Sequence, residues 1–279
     1  MTGLVATVIT KPLHEHSRRL LAFGVVMTAL GWVFMWGFEW RLNPLSFTLM
    51  WSGAAVVMWT LSRKGYPGLV RHVGLAMISV PVWWWFELVN VRARNWEYHS
   101  AFSYSEFEWA LLSTLAFATV IPAIAGAYQL VTTATVPKQR VAPDRWFARR
   151  EIWLGVLLQV AVFLFPTQLF PLVWIAPFLV ADGMVALLGG RSLIADIIRG
   201  HWREAAFVGA AGLLCGFLWE FWNFYSTPSW EYNIPLLGFW KIFEMPVLGY
   251  GGYIPFAWSI IQFIRLTDLA WRRFVLCRA

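Results

Sequence analysis

The sequence predicts an all-α membrane protein, a polytopic bundle of about eight transmembrane helices. Hydrophobic residues make up 59% of the 279 residues and charged residues only 13%, and the mean hydropathy is +0.59. Such a composition leaves too little polar surface for a soluble globular protein. The apolar stretches are close to the ~20 residues that a helix needs to cross a hydrocarbon core of ~30 Å. They are apolar on all sides, whereas the strands of a membrane barrel alternate with a period of two, which disfavours a barrel.

The predicted spans fall into two groups of four along the chain. Between the fifth and sixth spans only Pro166-Thr167-Gln168 interrupts the apolar stretch. The first group covers 20–38, 45–62, 73–90 and 109–131, and the second covers 152–167, 171–189, 205–225 and 245–264.

The basic residues predict the orientation of these spans. Of the 22 Lys and Arg residues, all but Arg41, Arg92, Arg94 and Lys241 lie on the side that both termini share. By the positive-inside rule both termini are cytoplasmic, and the chain is a multi-pass protein of the inner (cytoplasmic) membrane. The basic residues are spread over several separate segments, so nucleic acid is a poor candidate for a partner.

A polar, basic segment at 136–150 with two prolines is typical of a cytoplasmic linker. It separates a first four-helix repeat, 1–135, from a second, 151–279, within one membrane domain. Because each half has an even number of spans, both halves have the same orientation. The repeat is therefore parallel, related by an axis along the membrane normal.

The repeat is most specific in a motif of acids, amides and aromatic residues. Each copy has Glu-x-x-Asn at the end of one predicted span, then Trp-Glu-Tyr, then Phe-Glu before the next span. The first copy is Glu87-Leu-Val-Asn90, Trp96-Glu97-Tyr98 and Phe107-Glu108, and the second is Glu220-Phe-Trp-Asn223, Trp230-Glu231-Tyr232 and Phe243-Glu244. Two copies of one unit predict that two carboxylates approach a single site.

Glu87 and Glu220 are the first candidates for a catalytic acid and base, with Glu108 and Glu244 next. An ionisable residue inside a span is costly and usually faces a cavity or a partner. A structural hydrogen bond to the other half is the alternative for both. Asn90 and Asn223 each follow a Glu by three residues, so each pair shares a helix face and the amide is expected to orient the carboxylate. The sequence gives Asp182 no role.

Aromatic residues surround these acids. The chain has 20 Trp, 22 Phe and 8 Tyr residues. A dry aromatic pocket keeps a carboxylic acid protonated, and desolvated aromatic faces stabilise cations by ~2 kcal/mol or more. Such a pocket can protonate an alkene, hold the carbocation and remove a proton afterwards, with no metal or redox cofactor. The residues expected to bind substrate, besides the two Asn residues, are Trp84, Trp96, Tyr98, Trp219, Trp222, Trp230 and Tyr232.

The segment from Trp230 to Gly238, followed by Phe243-Glu244-Met-Pro246, resembles the small integral-membrane lycopene cyclases of the heterodimeric bacterial and fused fungal type. In that family Trp-x-Tyr precedes a Gly and then a Pro-x-Glu-Glu motif, in duplicated units. Glu244 and Glu108 match the acidic position, although this chain has Phe-Glu-Met-Pro in one half and Phe107-Glu108-Trp109 in the other. The resemblance implies a cyclase or isomerase of carotenoid or isoprenoid biosynthesis.

Two other classes stay open. One is a cation or proton-coupled transporter, because rings of intramembrane carboxylates bind cations and relay protons. The other is a non-catalytic subunit that binds membrane lipid or pigment, as a homo-oligomer or within a membrane complex. Replacing Glu87 or Glu220 by Gln separates these classes, because a scaffold would assemble normally.

Overall fold

The computed structural model describes residues 14–132, 144–234 and 238–276, and they are mostly helical. Six helices are long and apolar enough to cross a membrane: Glu15–Gly37, Asn43–Leu61, Leu69–Ala93, Glu106–Val131, Arg203–Asn223 and Val247–Phe274. The helix Leu172–Leu187 is apolar but shorter. The fold class is therefore confirmed as all-α, with six helices in the described residues that are long and apolar enough to cross a membrane.

The elements follow one another with short connections. In the first half of the described chain they are α1 Glu15–Gly37, α2 Asn43–Leu61, α3 Leu69–Ala93, β1 Trp96–His99, α4 Glu106–Phe117 and α5 Val120–Val131. In the second half they are α6 Arg145–Leu164, α7 Pro166–Leu169, α8 Leu172–Leu187, α9 Leu193–Ile198, α10 Arg203–Asn223, β2 Ser229–Tyr232, β3 Lys241–Ile242, β4 Met245–Pro246, a 3-10 helix Val247–Gly252 and α11 Tyr253–Leu276.

The predicted fourth span, 109–131, contains a break between α4 and α5. Pro122 has no N–H for the helical ladder, and the chain leaves regular geometry just before it. Ser79 of α3 repairs the break, since its hydroxyl donates to the carbonyl of Phe117 and accepts from the N–H of Ile121 at 3.0 Å. At this break the Ser79 hydroxyl therefore joins α3 to the span.

Two predicted boundaries differ from the structure. Of the predicted linker 136–150, residues 136–143 lie outside the described part, and α6 already begins at Arg145, with the Asp144 side chain accepting from Trp146 N–H at its start. The predicted eighth span begins at 245, but 245–252 form a strand and a 3-10 helix and α11 begins at Tyr253.

The core lies where the two halves meet. Helices α2, α3, α5, α10 and α11 contribute its largest fully buried side chains, among them Trp51, Phe86, Ile121 and Phe256. Trp51 of α2 lies against Trp219 of α10, with ring centroids 5.0 Å apart. At one end of this core β1 and β2 pair with each other, and we call that end the ribbon end.

Candidate functional site

The two Trp-Glu-Tyr segments form one antiparallel ribbon. Glu97 pairs with Glu231 at its centre, Trp96 pairs with Tyr232, and Tyr98 pairs with Trp230. Side chains alternate across a strand, so these four aromatic side chains share one face. Glu97 and Glu231 project from the other face and are exposed. The ribbon therefore brings the aromatic residues of both motif copies together.

Asn90 and Asn223 hold the ribbon in place. The Asn90 amide donates to Trp96 O at 2.8 Å and accepts from Asn95 N–H at 2.8 Å. The Asn223 amide donates to Trp230 O at 2.7 Å and accepts from Trp230 N–H at 2.8 Å. The expectation that these amides orient the glutamates is wrong, because each reaches past its helix end to the strand backbone.

Glu87 accepts three hydrogen bonds on a single oxygen. Its Oε1 accepts from the Tyr98 hydroxyl at 2.6 Å, from Trp83 Nε1 at 3.0 Å and from Trp96 Nε1 at 3.2 Å. The side chain is half-buried. Three donors that converge on one oxygen offset part of the cost of burying this carboxyl group.

Glu220 is completely buried and has a different set of partners. Its Oε1 accepts from the hydroxyls of Tyr253 at 2.5 Å and Tyr232 at 2.8 Å. Trp230 Nε1 donates to the Tyr232 hydroxyl at 2.9 Å instead of to the carboxylate. Its other oxygen, Oε2, has no hydrogen-bond partner among the described residues. A buried, unpaired carboxylate oxygen is costly, which favours a proton on this side chain.

Gly216 explains why Tyr253 reaches Glu220. Gly216 precedes Glu220 by four residues, as Trp83 precedes Glu87. A Cβ at Gly216 would lie 2.3 Å from Cδ2 of the Tyr253 ring, so only glycine admits this ring. Tyr253 therefore donates to Glu220 from α11, where Trp83 donates to Glu87 from the same helix.

The ribbon tyrosines are neutral donors. Burial first, and then the neighbouring Glu87, raise the pKa of Tyr98 well above its ordinary value. Burial and the neighbouring Glu220 raise the pKa of Tyr232 in the same way. Both hydroxyls thus keep their protons at neutral pH.

Between the halves lies a cavity of about 350 Å³. Its wall is mostly apolar, comes from both halves of the chain and includes 13 aromatic residues. The aromatic residues that line it are Phe47, Trp83, Trp96, Tyr98, Trp109, Phe117, Phe170, Trp174, Trp219, Trp230, Tyr232, Tyr253 and Phe256. Glu87 and Glu220 lie behind this wall, each one hydrogen bond away through a tyrosine that lines the cavity.

Five predicted substrate-binding residues line the cavity: Trp96, Tyr98, Trp219, Trp230 and Tyr232. Trp84 and Trp222 are outside its lining. Trp84 Nε1 donates to Thr114 Oγ1 at 3.1 Å, and Trp222 packs edge-on against Trp51 with centroids 4.9 Å apart.

Glu108 and Glu244 are bound elsewhere. Arg41 donates to both Glu108 oxygens at 2.8 Å, and Glu108 also caps the start of α4 with Ser105. Glu244 lies in the turn between β3 and β4, 3.3 Å from Lys241 Nζ, and is therefore separated from the start of α11 by β4 and the 3-10 helix.

The sequence interpretation missed Tyr253, Trp83 and Trp174 as lining residues. Tyr253 carried a signal, because it is a hydroxyl-bearing residue inside a predicted apolar span. Trp174 carried none, since its place in the cavity depends on how α8 packs.

Asp182 belongs to a separate polar cluster. It is fully buried and accepts from Ser192 Oγ at 2.5 Å, from Leu193 N–H at 2.7 Å and from the Gln262 amide. These bonds attach the start of α9 to α8 and α11, so Asp182 has a structural role.

Within the part of the chain that the structure describes, no group of three or more His, Cys, Asp or Glu side chains is arranged to hold a metal ion. No protein-family model, curated protein or solved structure matches this chain. The proposal for function therefore rests on the geometry of the site.

Proposed function

We propose that this chain is an integral-membrane cyclase or isomerase that acts on an isoprenoid or polyene lipid by acid–base chemistry. One observation supports this above the others. The cavity is lined by aromatic rings, and its few polar groups include tyrosine hydroxyls that hydrogen-bond to the carboxyl groups of Glu87 and Glu220. A cavity of this kind favours an apolar ligand and a reaction that moves protons.

The proposed architecture has eight spans in two parallel four-helix repeats, with both termini cytoplasmic in the inner membrane. Adding α6 and α8 to the six long apolar helices gives eight. The packing pattern recurs, since α1 packs on α2 and α2 on α5, while α6 packs on α8 and α8 on α11. The ribbon pairs equivalent segments about Glu97 and Glu231, as a local two-fold axis requires.

In the proposed reaction Glu220 is the acid. Tyr253 passes its proton to an alkene carbon of the substrate and takes one from Glu220, so the alkene becomes a carbocation. The rings of Trp219, Trp174 and Phe256 stabilise that cation. After ring closure or migration of the double bond, Tyr98 takes a proton from the carbon next to the cation and passes its own to Glu87. The product is an isomer of the substrate, and one proton returns from Glu87 to Glu220 before the next cycle.

The proposal is tested by mass spectrometry of the organic extract from protein purified in mild detergent. Wild type is compared with the double variant Glu87→Gln/Glu220→Gln. The matched control is Glu97→Gln/Glu231→Gln, which changes two acids on the exposed face of the same ribbon. A specific isoprenoid or polyene should be present, and its cyclised-to-linear ratio should fall only in the first variant. Bulk phospholipid alone in every sample would contradict the proposal.

A second candidate is a non-catalytic subunit that binds lipid or pigment. It is favoured by the position of Glu87 and Glu220 behind the cavity wall, where they also fix the ribbon tyrosines. For such a subunit the same extract would contain a specific ligand in an identical form in all three proteins. A transporter would instead bind cations as the wild-type protein, and both Gln variants would lose that cation binding.

A further inference from the structure

A second apolar space lies beside the cavity, between α8, α9 and the start of α11. We call it the lateral cleft. Its wall includes Phe178 of α8, Ile194 and Ile197 of α9, and Ile254 and Trp258 of α11. No ionisable side chain is among its described lining residues. The cleft is open to the outside of the bundle, so it is a recess in the apolar surface of the protein.

The lateral cleft and the cavity share part of their wall. Ile175, Gly251 and Pro255 line both spaces. Gly251 has no side chain, and nothing lies within 4 Å of the position where its Cβ would stand. The wall that the two spaces share therefore carries no side chain at Gly251.

The cleft leads away from the ribbon end along the helices. Pro255 and Ile175 lie near the ends of α11 and α8 that are next to the ribbon. Trp258 Nε1, further along α11, donates at 2.8 Å to the carbonyl of Ala205, at the opposite end of α10. Trp202, just before α10, is 57% exposed at the far side of the cleft. An extended chain can thus run from the cavity towards α9.

We infer that the lateral cleft binds the hydrocarbon chain of the same lipid whose reacting end lies in the cavity, and that this lipid enters from the bilayer through it. This rests on the proposed function only in that the cavity ligand is a lipid. The fully apolar wall fits an uncharged, linear chain and disfavours a headgroup. A chain that extends from the cavity past the shared wall into the cleft is longer than the cavity alone can hold. The ligand class is therefore a long, single-chain isoprenoid-type lipid.

The test blocks the junction. Gly251→Leu adds a side chain at the shared wall without a clash at its Cβ. Gly74→Leu is the matched control, because Gly74 of α3 also has nothing within 4 Å of an added Cβ and lines neither space. The probes are linear isoprenoid alcohols of increasing chain length, and their binding to each purified protein is measured by native mass spectrometry.

Wild type and Gly74→Leu should bind long alcohols more tightly than short ones, because each added methylene buries apolar surface. Gly251→Leu should lose about tenfold or more of its affinity for long alcohols. Ile197→Gln, at the far end of the cleft and outside the cavity lining, should keep its affinity for short alcohols and weaken only the long ones, and it is the deciding variant if Gly251→Leu does not fold. Long alcohols that bind both variants as tightly as wild type would overturn the inference.

The outcomes separate the inference from the proposed function. If short alcohols bind wild type and chain length has no effect, the lateral cleft is not the chain site, but the cavity still binds lipid. If no alcohol of any length binds wild type, both the inference and the proposal of a lipid substrate are wrong.

Discussion

Glu87 and Glu220 hold matching places in the two halves, and their surroundings match only in part. Each accepts a hydrogen bond from the ribbon tyrosine of its own half, Tyr98 or Tyr232. Glu87 then takes two indole donors and stays half-buried, whereas Glu220 takes the Tyr253 hydroxyl and is completely buried with one oxygen unpartnered.

The difference comes from one position on the helix. Trp83 fills the space one turn before Glu87, and Gly216 leaves the corresponding space before Glu220 empty for Tyr253. A repeated motif thus produces two unequal carboxyl sites, one with three donors on a single oxygen and one that is fully buried with an oxygen that has no partner among the described residues.

Replacing Gly216 by tryptophan, the residue at the equivalent position of the first half, should have the largest effect. In Gly216→Trp the new side chain would occupy the position of the Tyr253 ring, because even a Cβ there lies 2.3 Å from that ring. We expect no monodisperse protein by size-exclusion chromatography in detergent. Gly216→Ala should lower the free energy of unfolding by about 1–3 kcal/mol, the usual cost of overpacking. Normal stability of both variants would contradict the role of Gly216.

The single variants Glu220→Gln and Glu87→Gln should differ in the lipid products that they form. Glu220→Gln should stop the reaction before the cation forms and lower conversion by about 100-fold or more, the contribution of a positioned acid. Glu87→Gln should still form the cation and give a mixture of double-bond isomers, because the final proton has no defined acceptor. Mass spectrometry and NMR of the extracted lipid distinguish the two patterns. Wild-type product from Glu220→Gln would exclude it as the acid.

Replacing either asparagine by alanine should lower the stability of the protein, and the effect should be larger for the more buried one. Asn223 is 1% exposed and Asn90 is half-buried, and each satisfies backbone groups of its ribbon strand. Replacement by Ala leaves those groups unpaired, which costs about 1–3 kcal/mol in a buried site and less where water can reach. We therefore expect Asn223→Ala to lower the melting temperature more than Asn90→Ala. The reverse order would mean that the two strands are anchored in different ways.

The smallest effect should come from the exposed face of the ribbon. Glu97 and Glu231 stand directly opposite each other, and like charges at such a pair of positions are destabilising. Glu97→Gln should therefore raise the free energy of unfolding slightly, by less than about 0.5 kcal/mol. Thermal unfolding at low and high salt checks this, since the gain should shrink as salt screens the repulsion.

The two acids behind the cavity and the four ribbon aromatics could be predicted from local pattern. The repeated motif identified Glu87, Glu220 and four ribbon aromatics, because a motif of acids, amides and aromatic residues that occurs twice in one chain is far more specific than an apolar pattern. Trp83 and Trp84 both lie one turn before Glu87, and spacing alone does not decide between them. In the structure Trp83 donates to Glu87 while Trp84 donates to Thr114.

Residues whose roles depend on distant partners could not be predicted. Glu108 is a candidate acid by sequence, but in the structure Arg41, which is distant in sequence, donates to both of its oxygens. The break between α4 and α5 is repaired by Ser79 from another helix. Tyr253 reaches Glu220 only because Gly216 of a neighbouring helix leaves room. Local sequence patterns contain no information on contacts between residues that are distant in sequence.

The ribbon also sets an order of events during synthesis. Among the described strands, β1 pairs only with β2, which leaves the ribosome long after β1. Until then the carbonyl of Asn95, which accepts from Asn233 N–H at 2.9 Å in the folded protein, has no strand partner, and only the part of the cavity wall that belongs to the first half is present. The nascent first half can enter the bilayer and pack its own helices, but the cavity closes only when the second half arrives. Folding of the first half and completion of the cavity wall are thus separate steps, and the wall is complete only when the two halves come together.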